Sequence, residues 1–142
     1  MIIGQHFVKV GEKNRIAFPK KMRDEMGNDL IVSYGFDKAI MVFAKRNWEE
    51  VIAEIDNQPF LRRDSREVKR FLIGGATQVE CDNQGRFVLP EYLKEFAGVK
   101  NEIVALGMGK YVEIWDKERW EAHRKEAGKD IEETAQNLVD KI

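Results

Sequence analysis

A short sequence pattern occurs twice in this chain, about 71 residues apart. Residues 13–19 read KNRIAFP and residues 84–90 read QGRFVLP, so an arginine and a proline hold the same places in both copies. Further matches lie downstream of the pattern: Gly27 with Gly98, Phe43 with Trp115, and Trp48 with Trp120. A duplication on this scale predicts two similar units. Each is too small to bury a full core alone, so we expect them to pack on each other, on the intervening helices or on other subunits.

The composition is that of an ordinary globular protein. Of the 142 residues, 43% are hydrophobic, and no apolar run approaches the roughly 18 residues of a membrane span. The N-terminus lacks the basic and then apolar pattern of a secretory signal peptide. The single cysteine, Cys81, precludes an intramolecular disulfide and fits a reducing compartment. We therefore expect a cytoplasmic protein without membrane contact.

The charges of the chain are nearly balanced but unevenly distributed. A net charge of −1 and an isoelectric point near 6.2 argue against a protein that binds polyanions with its whole surface. Basic side chains nevertheless outnumber acidic ones in residues 9–25 and 62–70, whereas the chain from Glu113 onward is acid-rich. Such runs are most often solvated surfaces. The alternative is a basic face for phosphates on an acidic molecule.

Each copy of the repeat reads as a β-hairpin, a short helix and a second β-hairpin. In the first copy, strands at 4–10 and 15–18 flank a tight turn. Asn14 takes there the left-handed position that Gly85 fills in the second copy, because asparagine tolerates this backbone conformation well. The prolines suit the first turns of the short helices, and the matched glycines end them. The second hairpins are predicted at 30–34 with 39–44, and at 102–106 with 111–115.

Apolar residues at helical spacing predict further helices between and after the two units. The two linker helices are marked by Trp48, Val51, Ile52 and Ile55, and by Val68, Phe71 and Leu72. Asp116 is a suitable N-cap for a C-terminal helix that Trp120 opens. The apolar stripe that follows is either core or a subunit contact: Ile131, Ala135, Leu138, Val139 and Ile142.

The turn of the second copy is the strongest candidate for a binding site. Asp82 precedes Arg86 by four residues across the turn, where its carboxylate can accept hydrogen bonds from the turn amides or from the guanidinium. An arginine held in this way suits bidentate reading of guanine, and a two-stranded ribbon is thin enough to enter a major groove. Further donors for phosphates or base edges flank both arginines: Lys13, Asn14, Asn83 and Gln84. For one copy alone, a hairpin stapled by an ion pair without a ligand is the better interpretation; two copies beside basic linker helices favour nucleic acid.

These motifs resemble the MraZ family, the two-repeat member of the SpoVT/AbrB-like group. The similarity covers nearly the whole chain and rests on five segments: the opening MIIGQ, Asp82-x-x-Gly85-Arg86 followed by Pro90, Gly74-Gly75-Ala76, Val112-Glu113-Ile114-Trp115, and Arg119-Trp120. The resemblance implies a bacterial transcriptional regulator built from double-split β-α-β modules. It also implies binding to short direct repeats upstream of the division and cell-wall gene cluster, and assembly into a ring of about eight or more subunits.

The family's Asp-x-x-x-Arg motif, which lies on its DNA-facing loops, maps intact onto Asp82 and Arg86. The first copy departs from it: Gly11 stands where the family has aspartate, and Asn14 where it has glycine. Glu12 is one residue away and in an extended arm should point to the other side. We therefore predict that Arg86→Ala weakens specific binding more than Arg15→Ala.

Together these observations predict an α+β fold of two tandem AbrB-like double-split β-α-β modules, small and barrel-like, with linker and C-terminal helices. The expected boundaries are 5–47 for module 1, 48–75 for the helical linker, 76–119 for module 2 and 120–142 for the C-terminal helix. The predicted DNA-binding residues are Lys13, Asn14, Arg15, Asp82, Asn83, Gln84 and Arg86. The expected partners are double-stranded DNA and further copies of the chain, and the expected location is cytoplasmic and nucleoid-associated.

Two other classes of function remain open from the residues. An AbrB-like module of the antitoxin type would grip a protein partner instead of DNA. A small barrel enzyme would bind an acidic metabolite through the arginines, but no general base or nucleophile accompanies them. We therefore expect no enzyme, no catalytic residue, no cofactor and no small-molecule substrate. His6 and His123 have no ligand-type neighbours at metal-site spacing, so no metal is expected either.

Overall fold

The computed structural model describes residues 1–140. Its strands are β1 Gln5–Lys9, β2 Arg15–Ala17, β3 Asp29–Tyr34, β4 Ile40–Ala44, β5 Thr77–Glu80, β6 Arg86–Val88, β7 Glu102–Gly107 and β8 Val112–Asp116. Its α-helices are α1 Lys20–Met26, α2 Trp48–Asp56, α3 Arg63–Leu72, α4 Glu91–Ala97, α5 Lys117–Gly128 and α6 Ile131–Asp140. Single 3₁₀ turns cover Glu12–Asn14 and Lys45–Asn47. The predicted α+β class and its repeated β and α elements are confirmed.

The strands form a six-stranded antiparallel sheet and a separate two-stranded ribbon. The order in the sheet is β1-β7-β8-β4-β3-β5, and the ribbon pairs β2 with β6. The predicted second hairpins are confirmed, since β3 pairs with β4 and β7 with β8. The two copies meet at the centre of the sheet, where β4 pairs with β8 and Ile40 lies opposite Ile114.

The predicted first hairpin of each copy is wrong. Strand β1 pairs with β7 of the second copy, and β5 pairs with β3 of the first. The first strand of each copy is therefore paired with a strand of the other copy. The turns still close locally, through backbone hydrogen bonds such as those from the Gly11 amide to the Arg15 carbonyl and from the Asp82 amide to the Arg86 carbonyl, but the flanking strands then separate. Pairing β2 with β6 sets Ile16 opposite Phe87 and buries both side chains. A local hairpin would not bring these two residues together over the core.

The hydrophobic core lies between the six-stranded sheet and a second layer made of the ribbon with α1 and α4. The largest fully buried side chains come from both copies and both layers: Ile16, Phe18, Met22, Leu30, Ile40, Phe87, Leu89, Leu93, Ile103 and Ile114. Removing the ring of Phe18 or Phe87 would cost about 3 to 5 kcal/mol on the usual scale for buried aromatics. Because this main core needs both copies, neither copy buries its apolar face alone, as the size of the repeat led us to expect.

The helices follow the predicted signals with small shifts. Helices α1 and α4 begin one residue after Pro19 and Pro90, and they end at Gly27 and Gly98, whose φ angles are positive. The linker helices α2 and α3 lie where the apolar spacing placed them. No helix among residues 1–140 is both long and apolar enough to cross a bilayer.

The C-terminal region consists of two helices instead of one. Asp116 caps α5 as predicted, accepting a hydrogen bond from the amide of Arg119 at 3.2 Å, and the helix begins at Lys117. A break after Gly128 separates it from α6. The predicted apolar stripe lies on α6 and is exposed, apart from Ile142, which lies outside the described residues.

Candidate nucleic-acid interface

The ribbon carries both repeated arginines on one exposed face. In its register Ala17 lies opposite Arg86, and Arg15 lies opposite Val88. Residues that face each other across an antiparallel pair point to the same side, so these four side chains share the outer face while the intervening residues point into the core. A shallow cavity of about 270 Å³ is lined by Arg15 and Arg86 together. The structure thus brings the two arginines, far apart in sequence, onto a single surface. They lie diagonally across the two strands of the ribbon, because neither faces the other directly.

The loop before Arg86 is held by the carboxylate of Asp82, as predicted. Asp82 Oδ1 accepts hydrogen bonds from the amides of Gln84 at 2.8 Å and Arg86 at 2.9 Å, and Oδ2 pairs with Arg86 Nε at 3.2 Å. The hydrogen bond from the Arg86 amide is the main reason that the pKa of Asp82 is lowered from its ordinary value. The ionised carboxylate therefore closes the turn and also pairs with the guanidinium of Arg86.

The loop before Arg15 has no such carboxylate. The Gly11 amide donates to the Arg15 carbonyl at 2.8 Å, as the Asp82 amide does to Arg86, so the turn closes in the same way. Lys13 and Asn14 both have φ of 59°, which confirms the predicted left-handed conformation of Asn14 and adds a second such residue. Within residues 1–140, no acidic side chain lies within ion-pair distance of the Arg15 guanidinium.

The side chain of Asn14 contacts the helix of the other copy. Its Nδ2 donates to Glu91 Oε2 at 2.7 Å, and its Oδ1 accepts from Lys94 Nζ at 2.8 Å. The Asn14 carbonyl also accepts from the amide of Leu89 at 2.8 Å. Asn14 is therefore half-buried and engaged inside the protein, whereas Lys13, Asn83 and Gln84 are exposed around the two arginines.

Arg23 is a residue of this region that the sequence analysis missed. Its guanidinium lies over Gly85 of the opposite loop, and its Nε donates to the carbonyl of Phe18 at 3.0 Å. Gly85 has φ of 77°, and a Cβ atom there would lie 2.6 Å from Arg23 Nε. The signal that could have found it is the repeat itself, because Arg23 matches Lys94 and both are basic.

Other side chains that could carry chemistry are the histidines and Cys81. Among residues 1–140, no group of three or more histidine, cysteine or acidic side chains is arranged to hold a metal ion. Cys81 is buried beside the second loop, and burial raises the pKa of its thiol. His123 packs against the ring of Trp115 at a centroid distance of 4.6 Å.

Comparison with known proteins assigns the whole chain to one group. Residues 1–71 and 72–142 each match the family described as "MraZ protein, putative antitoxin-like". The chain is 36% identical to a transcriptional regulator MraZ of Syntrophomonas wolfei over 99% of its own length and 98% of the relative. It is 36% identical to that of Desulforamulus reducens, over 99% of each chain, and 34% identical to that of Moorella thermoacetica, over 99% and 98%.

Proposed function

Because this chain belongs to the MraZ family, we propose that it regulates transcription by binding DNA through the outer face of the β2–β6 ribbon. Relatives covering its full length carry the name transcriptional regulator, which confirms the prediction that the chain is not an enzyme. The seven predicted DNA-binding residues belong to this proposal. We also propose that the protein is located in the cytoplasm and on the nucleoid.

The observation that carries the proposal is the pairing of Arg15 and Arg86 on one exposed surface. Arginine is the side chain that most often reads guanine in the major groove, and a two-stranded ribbon fits that groove. Because the two strands are hydrogen-bonded and Ile16 and Phe87 anchor them in the core, the spacing of the arginines is fixed before binding. Lys13, Asn83 and Gln84 would contribute phosphate contacts that position the ribbon without specifying sequence.

The target is proposed to be a set of short direct repeats in the promoter of the division and cell-wall gene cluster. A single protomer offers one small ribbon and therefore a weak site. Several protomers on a shared assembly, each aligned with one repeat, would raise the affinity through effective concentration. A ring of identical subunits presents identical ribbons at regular intervals, so it can place successive ribbons on evenly spaced DNA repeats.

Complementary exposed surfaces support the proposed self-association. Helix α6 and the residue before it carry only acidic charges beside an exposed apolar stripe; these residues are Asp130, Glu132, Glu133 and Asp140, with Ile131, Leu138 and Val139. The region of α3 is net basic, with five basic side chains against Asp64 and Glu67, and it also exposes apolar side chains; these residues are Arg62, Arg63, Arg66, Lys69 and Arg70, with Phe60, Leu61 and Val68. Arg62, Lys69 and Arg70 also form ion pairs within the chain. Two different complementary patches on one chain allow a head-to-tail contact, and such contacts form a ring when the rotation between neighbouring subunits closes.

The experiment that tests the proposal is a salt titration of binding. It compares a duplex carrying several short direct repeats with a scrambled duplex, for the unmodified protein and for Arg15→Ala/Arg86→Ala. We expect tight binding to the repeats that falls steeply with salt and is lost in the double variant. Equal, weak binding to both duplexes, unchanged by the substitutions, would refute it. Salt-insensitive capture of a protein partner would instead favour an antitoxin-type interaction module.

A further inference from the structure

The two arginine loops are each covered by the short helix of the other copy. Lys94 and Glu91 of α4 bond to Asn14 in the first loop, and Arg23 of α1 lies over Gly85 in the second. The backbone bonds are exchanged in the same way, since the Phe18 amide donates to the Gly85 carbonyl at 2.9 Å. The contacts are thus reciprocal in position but different in chemistry.

The contacts that cover the two loops differ in chemistry because the loops themselves differ in sequence. The second loop has its own carboxylate, Asp82, which bonds the backbone amide of Arg86 directly. The first loop has Gly11 at that place and a side chain, Asn14, at the place of the glycine. The first loop thus lacks an aspartate but has an asparagine side chain, and both the amide oxygen and the amide nitrogen of that side chain are hydrogen-bonded to α4.

We propose that Glu91 and Lys94 are positioning residues for Arg15, and that they hold the first loop through Asn14 in place of the absent aspartate. This inference rests on the proposed DNA-binding function. Asn14 immediately precedes Arg15, so fixing the side chain and carbonyl of Asn14 fixes the direction in which the Arg15 side chain leaves the backbone. Neither Glu91 nor Lys94 needs to touch DNA for this purpose.

The sign of the Glu91 effect separates positioning from general electrostatics. Removing an acidic side chain near a DNA site ordinarily strengthens binding, because it makes the surface more positive. Glu95 on the same helix is also exposed. Among residues 1–140, its side chain makes no hydrogen bond to the first loop. We expect Glu91→Ala to weaken binding to the repeat duplex roughly fivefold, which is about the effect of losing one ordinary hydrogen bond. Glu95→Ala should leave binding unchanged or strengthen it.

A conservative variant tests whether the acceptor matters more than the charge. Glu91→Gln removes the same charge as Glu91→Ala but keeps an oxygen that can accept from Asn14. We expect Glu91→Gln to bind the repeat duplex within about twofold of the unmodified protein. Equal weakening by both substitutions would overturn the proposed role of the Asn14 contact.

If Glu91 positions Arg15, the loss of binding caused by Glu91→Ala must depend on Arg15 and not on Arg86. We expect Glu91→Ala to weaken binding further in an Arg86→Ala background and to have no additional effect in an Arg15→Ala background, measured at low salt. Coupling of this kind is what a double-mutant cycle isolates. An equal additional loss in both backgrounds would show that Glu91 supports the fold at large and would overturn the inference.

The outcomes distinguish this inference from the proposed function. If the repeat duplex is bound specifically and Glu91→Ala behaves like Glu95→Ala, DNA binding stands and the positioning role is wrong. If the unmodified protein binds repeat and scrambled duplexes equally, both fail together. Thermal unfolding of every variant at one protein concentration provides the check that a binding loss does not arise from unfolding.

Discussion

Replacing Gly85 by alanine should destabilise the protein through two separable effects. Its φ of 77° lies in the left-handed region, where a non-glycine residue costs about 1 to 2 kcal/mol. The new methyl group would also displace the guanidinium of Arg23, which covers this glycine. Moving that flexible side chain breaks its hydrogen bond to the Phe18 carbonyl, worth about 1.5 kcal/mol for a charged donor. We therefore expect a loss of about 3 kcal/mol in the free energy of unfolding.

Gly109 offers a matched control within the same chain. Its φ of 88° imposes a similar backbone cost, but no heavy atom lies within 4 Å of the position that a Cβ would take. Gly109→Ala should therefore cost only the backbone part, about 1 to 2 kcal/mol. Urea unfolding followed by tryptophan fluorescence measures both, because Trp115 is buried in the native protein.

The result that would refute this reasoning is equal destabilisation by the two glycine substitutions. It would mean that Arg23 does not cover Gly85 in solution. A second cycle checks the mechanism: in an Arg23→Ala background, Gly85→Ala should lose only the backbone part, because the hydrogen bond is already absent.

Three further outcomes are expected. Arg86→Ala should weaken binding to a repeat duplex more than Arg15→Ala, by about fiftyfold against about tenfold in a fluorescence anisotropy titration. The reason is that Asp82 bonds the Arg86 guanidinium itself, whereas Asn14 fixes only the backbone beside Arg15; equal losses would show that the acidic brace is immaterial. The hydrogen bond from the Arg86 amide lowers the pKa of Asp82, so the ordering of the loop is complete at neutral pH and lost as the pH falls through that lowered pKa. In an NMR titration, the Arg86 amide should shift with a midpoint below that of an ordinary aspartate, and a midpoint at or above it would contradict the bonding scheme. Leu138→Glu on the apolar stripe should dissociate the proposed assembly in sedimentation experiments, whereas Asn137→Glu, which adds the same charge beside the stripe, should not; identical behaviour of the two would exclude α6 from the contact.

The local features of the fold were predictable because they depend on residues close together in sequence. The left-handed Asn14, the glycines that end α1 and α4, and the Asp82 brace all follow from turn and capping chemistry. The second hairpins also follow, because β3 with β4 and β7 with β8 are joined by short loops.

The exchange of strands between copies was not predictable from the same patterns. Alternating apolar residues show which face of a strand is buried, but not which strand lies beside it. In a duplicated chain the ambiguity is doubled, because each strand has an equivalent partner in the other copy with a similar pattern. The pairing of Ile16 with Phe87 and the covering of Gly85 by Arg23 are contacts between copies, so they could not be read from either copy alone.

The exchanged strands imply that half of this chain is an incomplete protein. Cutting the connection between α2 and α3 would leave β1 and β2 without their partners in one fragment, and β5 and β6 in the other. Such fragments are suited to mutual complementation, and a single ancestral copy would have met the same need as an interlocked homodimer. Fusion of two copies replaces that bimolecular encounter by an intramolecular one, so the two arginines stay paired at any dilution.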